Sequence, residues 1–301
     1  VLHIKHLYSY KNISQFRADL DHLLKHLKPV SVSEIYESVE AGRAMPKNSF
    51  LLTFDDGFRE IYEIVAPILF EKGVPAIFFI NPAFIDNHEL FYRCKISLVI
   101  ESILQHRNDQ VLLSRCSKIL SANNSDKAEY LIPVVKKINN LNKDILDDVS
   151  DVLELSFTKY LKDEKPFLTT RQITELSTKG FTIGAHSWDH PYYDLIPDSE
   201  KLDQTIRSTS FVTEQFHQSI KTFSFPHSDK NLTQSFFNSL NSQSAIDLLF
   251  GIQNQKQEQA NKMLHRFNAE RPELPMSKQL NGVLLLMAMQ KFLQKNTVQR
   301  R

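Results

Sequence analysis

Short apolar runs along this chain end repeatedly in residues suited to chemistry. Phe50-Leu51-Leu52 runs into Thr53-Phe54-Asp55-Asp56-Gly57, and Phe181-Thr182-Ile183 runs into Gly184-Ala185-His186. Thr222-Phe223-Ser224-Phe225 ends at Pro226-His227, and Met263-Leu264 at His265-Arg266. Pro75 to Ile80 is apolar throughout, as expected of a strand buried on both faces. Helical patterns lie between these runs. Strands alternating with helices across short connections predict parallel βα units and an α/β fold. In a βα barrel the strand C-termini gather on one face, where an active site forms. Residues as distant in sequence as Asp56 and His186 can therefore share one site.

Two adjacent carboxylates at a strand end are costly unless something uses their charge. A metal ion accounts for one and an acid/base role for the other. Gly57 permits the tight turn that follows. By itself Asp-Asp-Gly is also the composition of an ordinary turn. His186 and His190 stand four residues apart in Gly184-Ala185-His186-Ser187-Trp188-Asp189-His190, so a compact loop can aim both imidazoles at one ion. As an isolated pair they read equally as two solvent-facing histidines. Asp56, His186 and His190 together suit Zn²⁺ or a similar divalent ion, with coordination positions left for water and substrate. The same set suits Fe(II) in an oxygenase, but paired aspartates in a βα setting fit hydrolysis better.

The net charge of +1 offers no basic field for nucleic acid. The two cysteines, Cys94 and Cys116, make no disulfide framework. No apolar run approaches the ~18 residues of a transmembrane segment. The longest, Val283 to Met289, predicts a buried helix face. No signal-peptide pattern opens the chain, which leaves open a cytoplasmic protein or an exported one with its leader removed. Val1–Ile4 is a candidate first strand. Ser14 is expected to cap a helix through Leu27, and a helix from Arg59 to Lys72 is expected to stop at Gly73. Ala245 to Phe250 is a late strand candidate. From Leu90 to Lys165 no convincing strand occurs, only helical stretches near 95–106, 110–121, 126–139 and 144–161. Residues 90–165 are thus expected as a helical insertion within a single domain spanning 1–301.

Thr53-Phe54-Asp55-Asp56-Gly57 followed by His186-Ser187-Trp188-Asp189-His190 resembles the polysaccharide deacetylases of carbohydrate esterase family 4. The resemblance implies a distorted, TIM-like (β/α) barrel of about seven strands. It implies a hydrolase that removes N- or O-linked acetyl groups from a polysaccharide with one divalent metal ion, Zn²⁺ being the expected one. Long insertions suggest a bacterial surface or exopolysaccharide as substrate. Asp55 would be the general base, and Asp56, His186 and His190 would hold the metal. The family's third motif is Arg-x-Pro followed by an aromatic. Here Pro226 matches, Ser224 replaces the arginine and His227 the aromatic. The backbone N–H of His227 would still help to hold the oxyanion, while the guanidinium that orients the base has to come from elsewhere, Arg266 or Arg93. The family's late histidine, a general acid, is matched only approximately at Leu264-His265, so His265 or His227 would protonate the leaving group. Trp188 would line the sugar groove or pack against the barrel rim. The alternatives are a catalytically impaired carbohydrate-binding protein on the same fold and an amidohydrolase of a small acylated molecule.

Overall fold

The computed structural model describes residues 1–122, 126–243, 246–258 and 262–300, and it divides into two compact units. The larger comprises residues 10–86 and 167–301, the smaller 1–9 and 87–166. The larger unit begins with α1 (Ile13–His26), β1 (Lys28–Pro29), α2 (Val32–Glu40), β2 (Ser49–Phe50), β3 (Leu52–Phe54), α3 (Ala66–Glu71) and β4 (Ala76–Ile80). The smaller unit contributes α4 (Tyr92–Gln105), α5 (Gln110–Ile119), α6 (Ala128–Val135), α7 (Ile145–Val152) and α8 (Phe157–Glu164). The larger unit resumes with α9 (Thr170–Thr178), β5 (Thr182–Ala185), α10 (Asp198–Gln215), β6 (Thr222–Ser224), α11 (Gln234–Ser242), β7 (Leu248–Gly251), β8 (Gln257–Glu258), β9 (Met263–His265), α12 (Met276–Phe292) and β10 (Thr297–Val298).

Six strands form one sheet in the order β3-β4-β5-β6-β7-β9, every neighbouring pair parallel. Side chains alternate across it, and two apolar clusters separate its faces. Ala76, Phe78 and Ile80 of β4 join one cluster with Ile183, Ala185, Phe223, Leu249 and Met263. Ile77 and Phe79 join the other with Leu248 and Phe250, and Leu51 and Leu264 pack against it. On β3, Leu52 and Phe54 belong with the first face, so Thr53 and Asp55 fall on the second. The same parity puts Gly184 and His186, and Thr222 and Ser224, on the second face. The residues of interest thus share a face before any distance is measured.

Among the described residues six strands join the main sheet, in keeping with the expected (β/α) barrel of about seven, and the others form the short parallel pairs β1–β2 and β8–β10. Several local expectations are corrected. Val1–Ile4 is a turn, held within the smaller unit by Ser97, whose Oγ donates to the Leu2 carbonyl (2.6 Å) and accepts the His6 N–H (3.2 Å). Asn12, not Ser14, caps α1: it exchanges hydrogen bonds with Gln15 in both directions, which places Ser14 inside the first turn. The helix before Gly73 opens as a π-turn over Ile61–Val65, because Pro67 has no N–H to continue the ordinary ladder. The strand expected over Ala245–Phe250 forms over Leu248–Gly251, Ala245 itself lying outside the described residues.

The run Val283–Met289 is not a buried face. Leu284 and Leu285 are more than half exposed (54% and 63%), and Phe292 is 88% exposed. The helix docks chiefly through its first turns, where Met276 and Gln279 are buried and the Met276 N–H donates to Asp19 of α1 (2.9 Å). An apolar run does not bury itself when only its N-terminal end meets a neighbour.

Candidate metal and catalytic site

β3 ends in the turn Asp55-Asp56-Gly57, in which Asp56 (φ 72°) and Gly57 (φ 65°) both adopt the left-handed conformation. Ser187, His190 and His227 do the same at φ 64°, 63° and 56°. This conformation is costly for residues with a side chain, and it gathers here in the loops after β3, β5 and β6. Gly57 is tied down by its carbonyl, which accepts the Leu168 N–H (2.9 Å). Asn81, the first residue after β4, donates its side-chain amide to the carbonyls of His186 and Ser187 (3.1 Å for the latter). It braces the histidine loop from the neighbouring strand end.

These turns bring Asp56, His186 and His190 together. Asp56 Oδ1 lies 3.2 Å from His190 Nε2 and 3.6 Å from His186 Nε2, and the two Nε2 atoms are 3.2 Å apart. Two ligands at about 2.1 Å from one tetrahedral ion stand roughly 3.4 Å apart. Both histidines are buried, and Asp56 Oδ1 is shut off from solvent without a hydrogen bond of acceptable geometry. Three electron-pair donors converging on one point, one of them unsatisfied, fit a divalent cation. Their outer nitrogens are engaged as metal-binding imidazoles require. His186 Nδ1 donates to the Ser224 carbonyl (2.7 Å), which leaves Nε2 unprotonated toward the site. His190 Nδ1 meets His227 Nε2 at 3.1 Å, and His227 lies flat on Tyr192, ring centres 3.5 Å apart. Burial, and next the neighbouring His190, push the His186 pKa down despite the aspartates, favouring the neutral ligand form.

Asp55 sits beside this trio, 3.9 Å from His186 Nε2. Arg266 grips it in a bidentate fork: Nη1 donates to Oδ1 (2.8 Å) and Nη2 to Oδ2 (2.9 Å). The same guanidinium donates to Thr53 Oγ1 (2.7 Å) and Ser224 Oγ (2.6 Å). Burial raises the Asp55 pKa, but the Arg266 charge, the histidines and the fork outweigh it and hold the carboxyl down at about 2. Asp56 is likewise lowered, burial being outweighed by His190 and His186.

The other expected residues lie as follows. Pro226 and His227 form the turn after β6, with the His227 ring against His190. Arg93 is in α4 of the smaller unit. Trp188 packs on α10, its ring covered by the Arg207 guanidinium at 3.6 Å and met edge-on by Phe211. His265, expected as a proton donor, lies in a separate buried cluster. Its side chain is wholly buried, Nδ1 accepts the Gln253 N–H (3.3 Å) and Nε2 faces Glu258 (3.3 Å). The sequence reading missed Asn81, Tyr192 and Thr53 as parts of the site. Asn81 carried a usable signal, a polar residue directly after an apolar strand.

A family profile described as polysaccharide deacetylase matches residues 42–242, more than half of the chain. The poly-β-1,6-N-acetyl-D-glucosamine N-deacetylase of Escherichia coli K12 is 40% identical over 50 residues, a stretch covering 17% of this chain and only 7% of that protein. The fold is similar to that of the Streptococcus pyogenes deacetylase PplD in complex with acetate (TM-score 0.55, 12% identity, 90% of this chain and 86% of the other). It is also similar to that of IcaB from Ammonifex degensii (TM-score 0.54, 14% identity, 89% and 88%). The profile spans the turn that carries both aspartates, the histidine loop and the Pro226 turn. By sequence and by fold, the chain belongs to the polysaccharide deacetylase family of hydrolases.

Proposed function

We propose that this protein is a metal-dependent deacetylase that removes N-linked acetyl groups from an N-acetylglucosamine polymer of a bacterial surface. The observation that carries the reading is the pairing of two devices at one strand-end face. Asp56, His186 and His190 converge their donor atoms to within 3.6 Å of one another, and the carboxylate Asp55 stands beside them, locked by Arg266. The donor set suits Zn²⁺, and the 50-residue likeness to a poly-N-acetylglucosamine deacetylase supports the substrate class.

Asp56, His186 and His190 would hold the ion, which when bound polarises the acetyl carbonyl and acidifies a water molecule. Asp55 takes the proton of the attacking water. The fork from Arg266 keeps both carboxylate oxygens in one orientation, so that the base meets its substrate without searching rotamers. The His227 backbone N–H, in the turn after β6, supports the developing oxyanion. Of the two histidines expected to protonate the leaving amine, His227 is the one beside the ligands and takes that role.

The test combines metal content with acetate release. The purified protein, reconstituted with Zn²⁺, should retain about one ion and release acetate from N-acetylglucosamine oligomers. His186→Ala should lose both. Retention of the ion without any acetate release from oligomer or polymer would favour a carbohydrate-binding protein. Release from acetylated monosaccharides alone would favour the small-molecule amidohydrolase. Absence of ion binding in the wild type would refute the metal assignment.

A further inference from the structure

Behind Arg266, on the opposite face of β9, lies a second charged cluster that the reaction does not use. The side chains of Asp229, Glu258 and His265 are fully buried, and Arg300 is 1% exposed. Arg300 reaches in from the residues following β10, which pairs with β8. Its Nη2 lies 2.7 Å from both Asp229 Oδ2 and Glu258 Oε2, its Nε donates to Glu258 (3.0 Å), and its Nη1 donates to the Asp229 carbonyl. The guanidinium also covers Phe237, 4.9 Å from the ring centre. Buried charges of this kind persist only when paired and hydrogen-bonded, and here they are.

The cluster is wired to the backbone that carries Arg266. Asp229 Oδ1 accepts the Ile252 N–H (2.9 Å), Asp229 Oδ2 accepts from the Gln253 side chain (2.8 Å), and the Gln253 N–H donates to His265 (3.3 Å). The residues flanking Ile252 and Gln253 then hold Arg266 from both sides. The Arg266 N–H donates to the Gly251 carbonyl (2.8 Å), and the Arg266 carbonyl accepts the Asn254 N–H (3.2 Å). Gly251 fits closely: a Cβ there would lie 2.6 Å from Asp229 Oδ1 and 2.5 Å from Met263 Cε. Asp229 thus sets the turn after β7, and that turn sets Arg266.

We infer that Arg300 is a positioning residue for the deacetylase reaction. It clamps Asp229 and Glu258 so that the turn after β7 and the end of β9 deliver the Arg266 guanidinium onto Asp55. The inference rests on the reading of Arg266 as the partner of the base.

The experiment uses the full chain reconstituted with Zn²⁺. Acetate release from N-acetylglucosamine oligomers is measured for Arg300→Met, Arg300→Lys, Arg266→Met and the double variant Arg300→Met/Arg266→Met, beside metal content and thermal midpoint. Arg300→Met should lose about ten- to a hundredfold in kcat, with KM and metal content unchanged at temperatures where it stays folded. Arg300→Lys should recover part of the loss. The double variant should be no slower than Arg266→Met alone, because Arg300 acts only through Arg266. An unchanged kcat in Arg300→Met beside a slowed Arg266→Met would overturn this inference alone, as would losses that multiply in the double variant. An unchanged rate in Arg266→Met would overturn the reading of Arg266 and this inference together. If Arg300→Met does not fold, the near-isosteric Asp229→Asn and Glu258→Gln carry the same comparison with Arg266→Met.

Discussion

Replacing Arg266 by methionine and by lysine separates two things its guanidinium does for Asp55. It supplies a positive charge, and it fixes the carboxylate plane through two hydrogen bonds of 2.8 and 2.9 Å. Methionine removes both and keeps the apolar stem. Lysine keeps the charge but, as a single ammonium, cannot reproduce the fork or reach Thr53 and Ser224 at once. Loss of an arginine beside an aspartate raises the carboxyl pKa by about 1–3 units. Starting from about 2, Asp55 in the methionine variant would then titrate near pH 3–5. It stays ionised at pH 7.5, so a slower reaction there reports lost orientation and lost charge, not a protonated base. A carboxylate free to rotate costs roughly 1.4–2.8 kcal/mol of transition-state stabilisation, or ten- to a hundredfold in kcat. The assay is acetate release at pH 7.5 with zinc content measured on the same samples. Methionine should fall by that factor with the ion retained, and lysine should lie nearer to methionine than to wild type. A methionine variant within about twofold of wild type would refute the reasoning. A lysine variant matching wild type would show that charge alone matters.

Further outcomes follow from the same geometry. Burial pushes Asp229 and Glu258 upward, but the Gln253, His265 and Arg300 contacts outweigh it, so both lie below their ordinary values of 3.8 and 4.5. Their stabilising contribution is complete above those values and is lost as pH falls toward the folded ones. The wild-type thermal midpoint should therefore hold steady down to about pH 5 and then drop. In Arg300→Met the unpaired carboxylates gain stability on protonation, so mild acidification should raise the midpoint; parallel curves for the two proteins would contradict this. Phe223, fully buried on β6, should cost about 3–5 kcal/mol when cut to alanine, measured by urea unfolding. Leu285→Gln on the exposed flank of α12 should change stability by about 0.5 kcal/mol or less. A large loss there would mean that the flank is covered in solution.

Strand ends were legible because their signals are local. An apolar run followed by Asp55-Asp56 or by His186 announces both the strand and the chemistry, and the histidine spacing suffices to aim two imidazoles at one carboxylate. Residues whose role depends on a distant partner were not legible. Asn81 stands out as a polar residue after an apolar strand, but its neighbours do not say that its amide meets the His186 loop, and nothing near Val283 reveals that α12 meets α1 chiefly at its first turns. The cap of α1 was missed for a smaller reason: Asn12 and Ser14 are both good caps, and only the return bond from Gln15 decides between them.

His265 and Arg266 show what a register argument adds to motif matching. Consecutive residues on an extended strand point to opposite faces. Met263 belongs with the cluster that holds Phe78 and Leu249, while Leu264 packs with Phe79 and Phe250. By that alternation His265 must follow Met263 and Arg266 must follow Leu264. Arg266 therefore emerges on the face that carries Thr53, Asp55 and Ser224, its guanidinium 5.5 Å from the centre of the Phe79 ring. His265, one residue earlier, points to the opposite face, where it meets Gln253 and Glu258. Ser224 completes the case. Its short side chain lies on the same face as Asp55 and receives the Arg266 guanidinium at 2.6 Å, so the charge that the third motif lacks at the end of β6 arrives from the end of β9. Parallel strands whose C-termini converge make such a relocation geometrically inexpensive, since a long side chain from any neighbouring strand end can reach the same carboxylate.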